Sequence, residues 1–185
     1  MPAEIGIIPR MTASAEWWLG RSPLALGLYS LPYRKVLSSE IDLAGLKGSD
    51  IVLNVGCGPA PFTAVMLARR GFRVIALDRD EDAVEAARNA VLRAGLEDRI
   101  DVRWGDPIRD RMPDYDVAFV ALQVRPKAAV IDALRNSAKS GGRILVRDSA
   151  PWCRDMYDDL PGDLKICGEV PHDLGALDRS ILIDP

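Results

Sequence analysis

From residue 51 onward, short apolar runs alternate with stretches of helical period. Ile51–Val55 is a near-continuous apolar run, as a strand buried on both faces requires. Residues Pro61–Arg70 have helical spacing, with Phe62, Val65, Met66 and Arg69 on one stripe and Gly71 as the stop. Arg73–Leu77 predicts a second strand. Asp80 stands as N-cap of a helix that runs to Ala94, with Val84, Ala87 and Val91 facing inward and Gly95 ending it. Ile100–Trp104 and Val117–Leu122 predict the third and fourth strands. Pro126–Ala138 predicts a helix whose apolar face is Val130, Ile131, Leu134 and Ala138, and Gly141-Gly142 turns the chain into a fifth strand, Arg143–Arg147.

Strands joined by short helical crossovers imply an α/β, doubly wound Rossmann-like fold on a parallel sheet with right-handed connections. The ending differs. Leu164–Val170 and Ser180–Ile183 read as two strands linked by a loop containing Pro171 and Gly175. No helix fits between them, so they pair as an antiparallel hairpin at one edge. Residues 1–49 lack strand patterning and carry Trp17, Trp18, Tyr29 and Tyr33 among several prolines. They are expected to form a short helical lid segment, with Trp17, Trp18 and Tyr33 near the acceptor side. Residues 50–185 form the ligand-binding domain.

The first strand runs into Gly56-Cys57-Gly58, a tight glycine turn before a helix N-terminus, where a ligand can approach the backbone closely. Twenty-two residues after Gly56, the second strand ends in Asp78, a carboxylate suited to both hydroxyls of a ribose. Pro59 and Pro61 remove two backbone N–H donors, which makes the loop a poor phosphate cradle. It suits a cofactor without phosphate, such as S-adenosylmethionine (SAM). No Gly-Lys-Ser/Thr follows, so this is no P-loop. In open α/β sheets ligands lie beyond the carboxyl ends of the strands. That rim carries the candidate cofactor residues Asn54, Gly56, Cys57, Gly58, Asp78, Arg79, Asp106 and Ala121. Asp106 equally suits a turn before Pro107, and Asp78 a helix cap.

Composition narrows the function classes. The chain has 185 residues, a formal net charge of −3 and three cysteines without a CxxC pair. Nothing marks a nucleic-acid binder, and no segment reads as a membrane span or leader. The expectation is a soluble cytoplasmic protein with a small-molecule acceptor, no nucleic acid, no metal, and room for a homodimer. No catalytic residue is evident. His172, the sole histidine, falls in the predicted final loop, where it reaches the acceptor side or is simply solvated.

Parallel strands with a terminal antiparallel hairpin resemble the class I SAM-dependent methyltransferases. That resemblance implies a seven-stranded sheet of order 3-2-1-4-5-7-6. It places Gly56 and Gly58 at the amino-acid tail of SAM, Asp78 at the ribose and Asp106 at the adenine amino group. Asn54 replaces an acid that many of these enzymes carry. The Asn-Pro-Pro-Tyr signature for methylating amide-like nitrogens is absent after the fourth strand, where Val120-Ala121-Leu122-Gln123-Val124 stands. A narrower likeness lies in residues 55–63, 115–122 and 146–150 and in Leu31-Pro32-Tyr33, which resemble nicotianamine synthases. Those proteins transfer the aminocarboxypropyl group of SAM. Where they carry a glutamate after the Pro-Tyr pair, this chain has Arg34-Lys35. The function expected is therefore SAM-dependent methyl transfer to a small molecule. The alternatives are aminocarboxypropyl transfer and SAM binding without catalysis, while the turn prolines argue against NAD.

Overall fold

The computed structural model describes residues 33–184. Trp17, Trp18 and Tyr29, assigned to the lid, lie outside the described residues. A helix, α1 (Tyr33–Ala44), leads into the alternating core: β1 (Ile51–Val55), α2 (Phe62–Arg69), β2 (Arg73–Asp78), α3 (Glu81–Ala94), β3 (Ile100–Trp104), β4 (Val117–Val120), α4 (Lys127–Ser137) and β5 (Arg143–Ser149). A 3-10 turn at Pro151–Met156 precedes the hairpin of β6 (Ile166–Leu174) and β7 (Leu177–Ile183). The sheet has the order β3-β2-β1-β4-β5-β7-β6, parallel up to β5 and antiparallel across β5, β7 and β6.

Successive strand residues face opposite sides of the sheet, and the core divides accordingly. Val52, Val74, Ala76, Phe119 and Leu145 pack under α1, α2 and α3 with Leu37, Leu67 and Val84. Leu53, Val55, Ile75, Val120 and Val146 face Val130, Ile131 and Leu134 of α4. Local sequence fixes the ends of α3. The Asp80 side chain accepts from the N–H groups of Asp82 and Ala83, and Gly95 adopts the left-handed conformation at φ 64°. The C-terminus of α1 is tied to the sheet by Arg143, which donates to the carbonyls of Ala44 and Gly45 and pairs with Asp50 at 2.6 Å.

Three expectations are corrected. Residues Thr63–Ala68 of α2 are all buried while Arg69 is exposed, so α2 is a core helix and not a one-sided stripe. β4 ends at Val120, and Ala121 lies in the loop beyond it, where its N–H still donates to the Val55 carbonyl. Pro171 and His172 lie within β6, and the hairpin turn is Gly175-Ala176. β6 is the edge strand, where a proline forfeits no ladder bond, and its register shifts between Pro171 and Leu174.

Candidate active-site cleft

At the carboxyl ends of β1, β2, β4 and β5 lies a cleft of about 450 Å³. Every one of the eight sequence-predicted residues borders it. The glycine turn is held against β2. The N–H groups of Gly56 and Cys57 both donate to the Leu77 carbonyl, at 2.8 and 3.1 Å. The Gly58 N–H donates to Asp78 Oδ2 at 2.8 Å. With these amides engaged, and none on Pro59 or Pro61, the loop has little to offer a phosphate.

Gly56 is required for closeness as well as for its φ of 75°. A Cβ there would meet Val124 Cγ2 at 2.5 Å and Ala121 Cβ at 3.5 Å. The obstacle is thus the loop after β4, where sequence reasoning had placed the ligand's own path. Cys57 is buried, and that burial, helped by the Asp78 charge, pushes its thiol up, so it is a neutral packing group.

Asp78 is half-buried. It accepts from Gly58 on one oxygen and from the Asp80 N–H on the other. Asp80 is the helix cap, so Asp78 is free of that role. A carboxylate has about four lone-pair sites, and two remain for a ligand. Arg79 reaches across the mouth, its Nη1 donating to the Arg125 carbonyl at 3.0 Å. Trp104, exposed at the end of β3, donates to the Arg79 carbonyl. Asp106 borders the cleft, and its carboxylate also organises its own turn by accepting from the Ile108 N–H at 3.0 Å. Both roles foreseen for it are thus available.

Asn54 is 2 % exposed, and its side-chain carbonyl oxygen has no hydrogen-bond partner. A buried acceptor left empty costs roughly 1–3 kcal/mol, and this one borders the cleft.

Further in, the wall is formed by Tyr33 of α1, Thr63 of α2, Arg147 of β5, Tyr157 and Leu177. Sequence reasoning placed Tyr33 here and missed the role of the others. Arg147 forks onto Glu40, with Nε to Oε1 and Nη2 to Oε2 both at 2.8 Å, and its Nη1 donates to Thr63 Oγ1 at 3.0 Å. Glu40 is fully buried and also accepts from Ser180 Oγ at 2.6 Å. Burial alone would lower Arg147, but the charge and hydrogen bonds of Glu40 outweigh it and hold the guanidinium above its usual value. The available signal was an arginine directly after the apolar run Ile144–Val146 of a buried strand, where a charge demands a partner. Arg34 and Lys35 are exposed on α1. His172 does not border the cleft; its Nε2 lies 3.0 Å from Ser180 Oγ.

A methyltransferase-domain family model matches residues 52–142, which span the glycine turn, Asp78 and Asp106. That domain sits on a sheet with the strand order of the class I SAM-dependent methyltransferases. It is 32% identical over 100 residues to a probable cobalt-precorrin-6B C(15)-methyltransferase (decarboxylating) of Methanothermobacter thermautotrophicus, covering 53% of this chain and 52% of the relative. It is 30% identical over 134 residues to an L-histidine 2-aminobutanoyltransferase of Pseudomonas aeruginosa, covering 68% and 48%. The chain thus spans about half the length of these curated relatives. In fold it resembles a crystal structure of a mutant of MtNAS in complex with S-adenosylmethionine, at TM-score 0.80 and 21% identity, over 92% of this chain and 70% of that one. The resemblance to nicotianamine synthase-like proteins therefore extends to the fold.

Proposed function

We propose that this chain is a SAM-dependent methyltransferase acting on a small-molecule acceptor. The observation that carries the reading is a cleft bordered both by Asn54, whose buried side-chain oxygen has no partner, and by Asp78 at the end of the adjacent strand, with two vacant lone-pair sites. A ligand with an ammonium at one end and vicinal hydroxyls at the other satisfies both. The residues present fit that cofactor: Asn54 would take the ammonium, Asp78 the ribose hydroxyls, Asp106 the adenine amino group. Gly56, Cys57, Gly58, Arg79 and Ala121 shape the walls.

SAM supplies a methyl carbon already activated by a sulfonium. The protein's share is placement and exclusion of water. Tyr33, Thr63, Tyr157 and Leu177 line the far wall, where an acceptor would lie. No histidine borders the cleft among the described residues. A general base is needed only where the acceptor's nucleophile is protonated at working pH. Residues 1–49 supply the lid on this reading, with Tyr33 its described member, and 50–185 the cofactor domain. Among the described residues no helix is long and apolar enough to cross a membrane, and the three cysteines are free. Free thiols support a cytoplasmic site of action. Weak overall acidity argues against nucleic-acid partners, and a homodimer fits the reading without being required by it.

A second reading, transfer of the aminocarboxypropyl group, is favoured by the MtNAS-like fold and the L-histidine 2-aminobutanoyltransferase relative. Calorimetry with S-adenosylhomocysteine, methylthioadenosine and NAD tests the cofactor. Binding of NAD alone would overturn both readings. Product analysis separates the two, since methyl transfer leaves S-adenosylhomocysteine and the alternative leaves methylthioadenosine.

A further inference from the structure

The Glu40–Arg147 pair is more than a brace for α1. A guanidinium has five N–H donors, and three are committed to Glu40 and Thr63. One N–H on each terminal nitrogen has no protein acceptor among the described residues. Glu40 does not border the cleft, and both its oxygens are engaged by Arg147 and one also by Ser180. The cleft therefore meets the donors of the pair and not its carboxylate. The fork also fixes the guanidinium plane, so little rotamer freedom remains to be lost on binding.

Asn54 and Arg147 share one face of the sheet. Asn54 registers with Phe119, and Phe119 with Leu145, two residues before Arg147. Two strand spacings and two residues of rise put their Cα atoms about 12 Å apart. Leu122, Tyr157 and Leu177 form a buried apolar cluster that also borders the cleft, which strengthens hydrogen bonds made there.

We propose that Arg147 recognises a carboxylate in the cleft, through the terminal N–H groups that Glu40 and Thr63 leave free. The inference rests on the cofactor reading above and deepens it. The carboxylate belongs either to the amino-acid tail of the cofactor or to the acceptor, and binding measurements distinguish the two.

Calorimetry is run on the wild type and on Arg147→Lys, which keeps a charge against Glu40. Should that variant not fold, the pair Glu40→Met/Arg147→Met, which removes both charges, replaces it. The first comparison sets S-adenosylhomocysteine against its decarboxylated analogue. The second sets benzoate against benzamide, with no nucleoside present. A wild-type preference of about tenfold or more for the carboxylate in either comparison, lost in the variant, is the expected result. Loss in the first assigns the cofactor tail, and loss in the second assigns the acceptor. Preferences that are absent, or unchanged by the substitution, overturn the proposal. Methylthioadenosine, which has no carboxylate, is the separate control. If it fails to bind the wild type, the cofactor reading falls, while the benzoate comparison still decides Arg147.

Discussion

Glu40→Ala removes the carboxylate that the structure sets against a nearly enclosed guanidinium. Arg147 keeps 10% side-chain exposure and Glu40 none, and the contact is a two-pronged fork at 2.8 Å. Breaking a buried pair by deleting one partner costs ~3–5 kcal/mol, because the other charge stays buried and uncompensated. Ser180 loses its acceptor as well, within the same coupled loss rather than added to it. Native stabilities are about 5–15 kcal/mol, so the variant should stand near the edge of folding. For a domain of this size each kcal/mol moves Tm by roughly 2–4 °C, and the expected fall is about 6–20 °C. Thermal melting followed by circular dichroism measures that fall, and urea unfolding at unchanged m-value measures the free-energy loss. Glu40→Met/Arg147→Met should restore most of the stability, since replacing both charges by apolar groups of similar volume is often neutral. A single-variant loss under about 1 kcal/mol, at unchanged m, would show that Arg147 finds solvent or another partner, and the account of this pair would be wrong.

Asp78→Asn should weaken S-adenosylhomocysteine by ~1.5–3 kcal/mol in calorimetry, because hydrogen bonds to a charged acceptor are lost; unchanged affinity would remove Asp78 from the site. Gly56→Val should abolish nucleoside binding and lower stability by about 1–3 kcal/mol, since its Cβ strikes Val124 at a φ of 75°; a folded variant that binds normally would refute the packing argument. His172 titrates below its usual value, mainly through burial and against the pull of Glu40 and Asp178, with Arg147 acting in the same direction as burial. Its unfolded form binds protons more readily, so the stability it contributes is present above about pH 6.5 and is lost as pH falls through the lower folded value. The wild type should therefore lose more stability between pH 7.5 and 5.5 than His172→Gln, as read by urea midpoints; equal losses would show that His172 is not the group responsible.

Much of the architecture was legible because it is local. Asp80 and Gly95 bound α3 through contacts within a few residues, so local sequence locates them. Gly56, Gly58 and Asp78 were legible because a strand-turn-helix unit allows few other residues there. The terminal hairpin was visible as two short apolar runs, though its length was not. Pro171 reads as a breaker in sequence, and only a place on the sheet's edge makes it tolerable within a strand.

Sequence by itself thus determined the alternation of elements, the glycine turn and the carboxylate that faces it, since each follows from periodicity or from backbone sterics over a short stretch. Only the tertiary structure decided that Glu40 and Arg147, 107 positions apart, would meet. It also decided that Asn54 would keep an empty acceptor, that Val124 would leave no room for a side chain at Gly56, and that His172 would face Ser180 and not the cleft. A buried polar group takes whichever partner the packed helices and strands bring within hydrogen-bond distance. That choice depends on sheet order and helix placement, which no local pattern encodes.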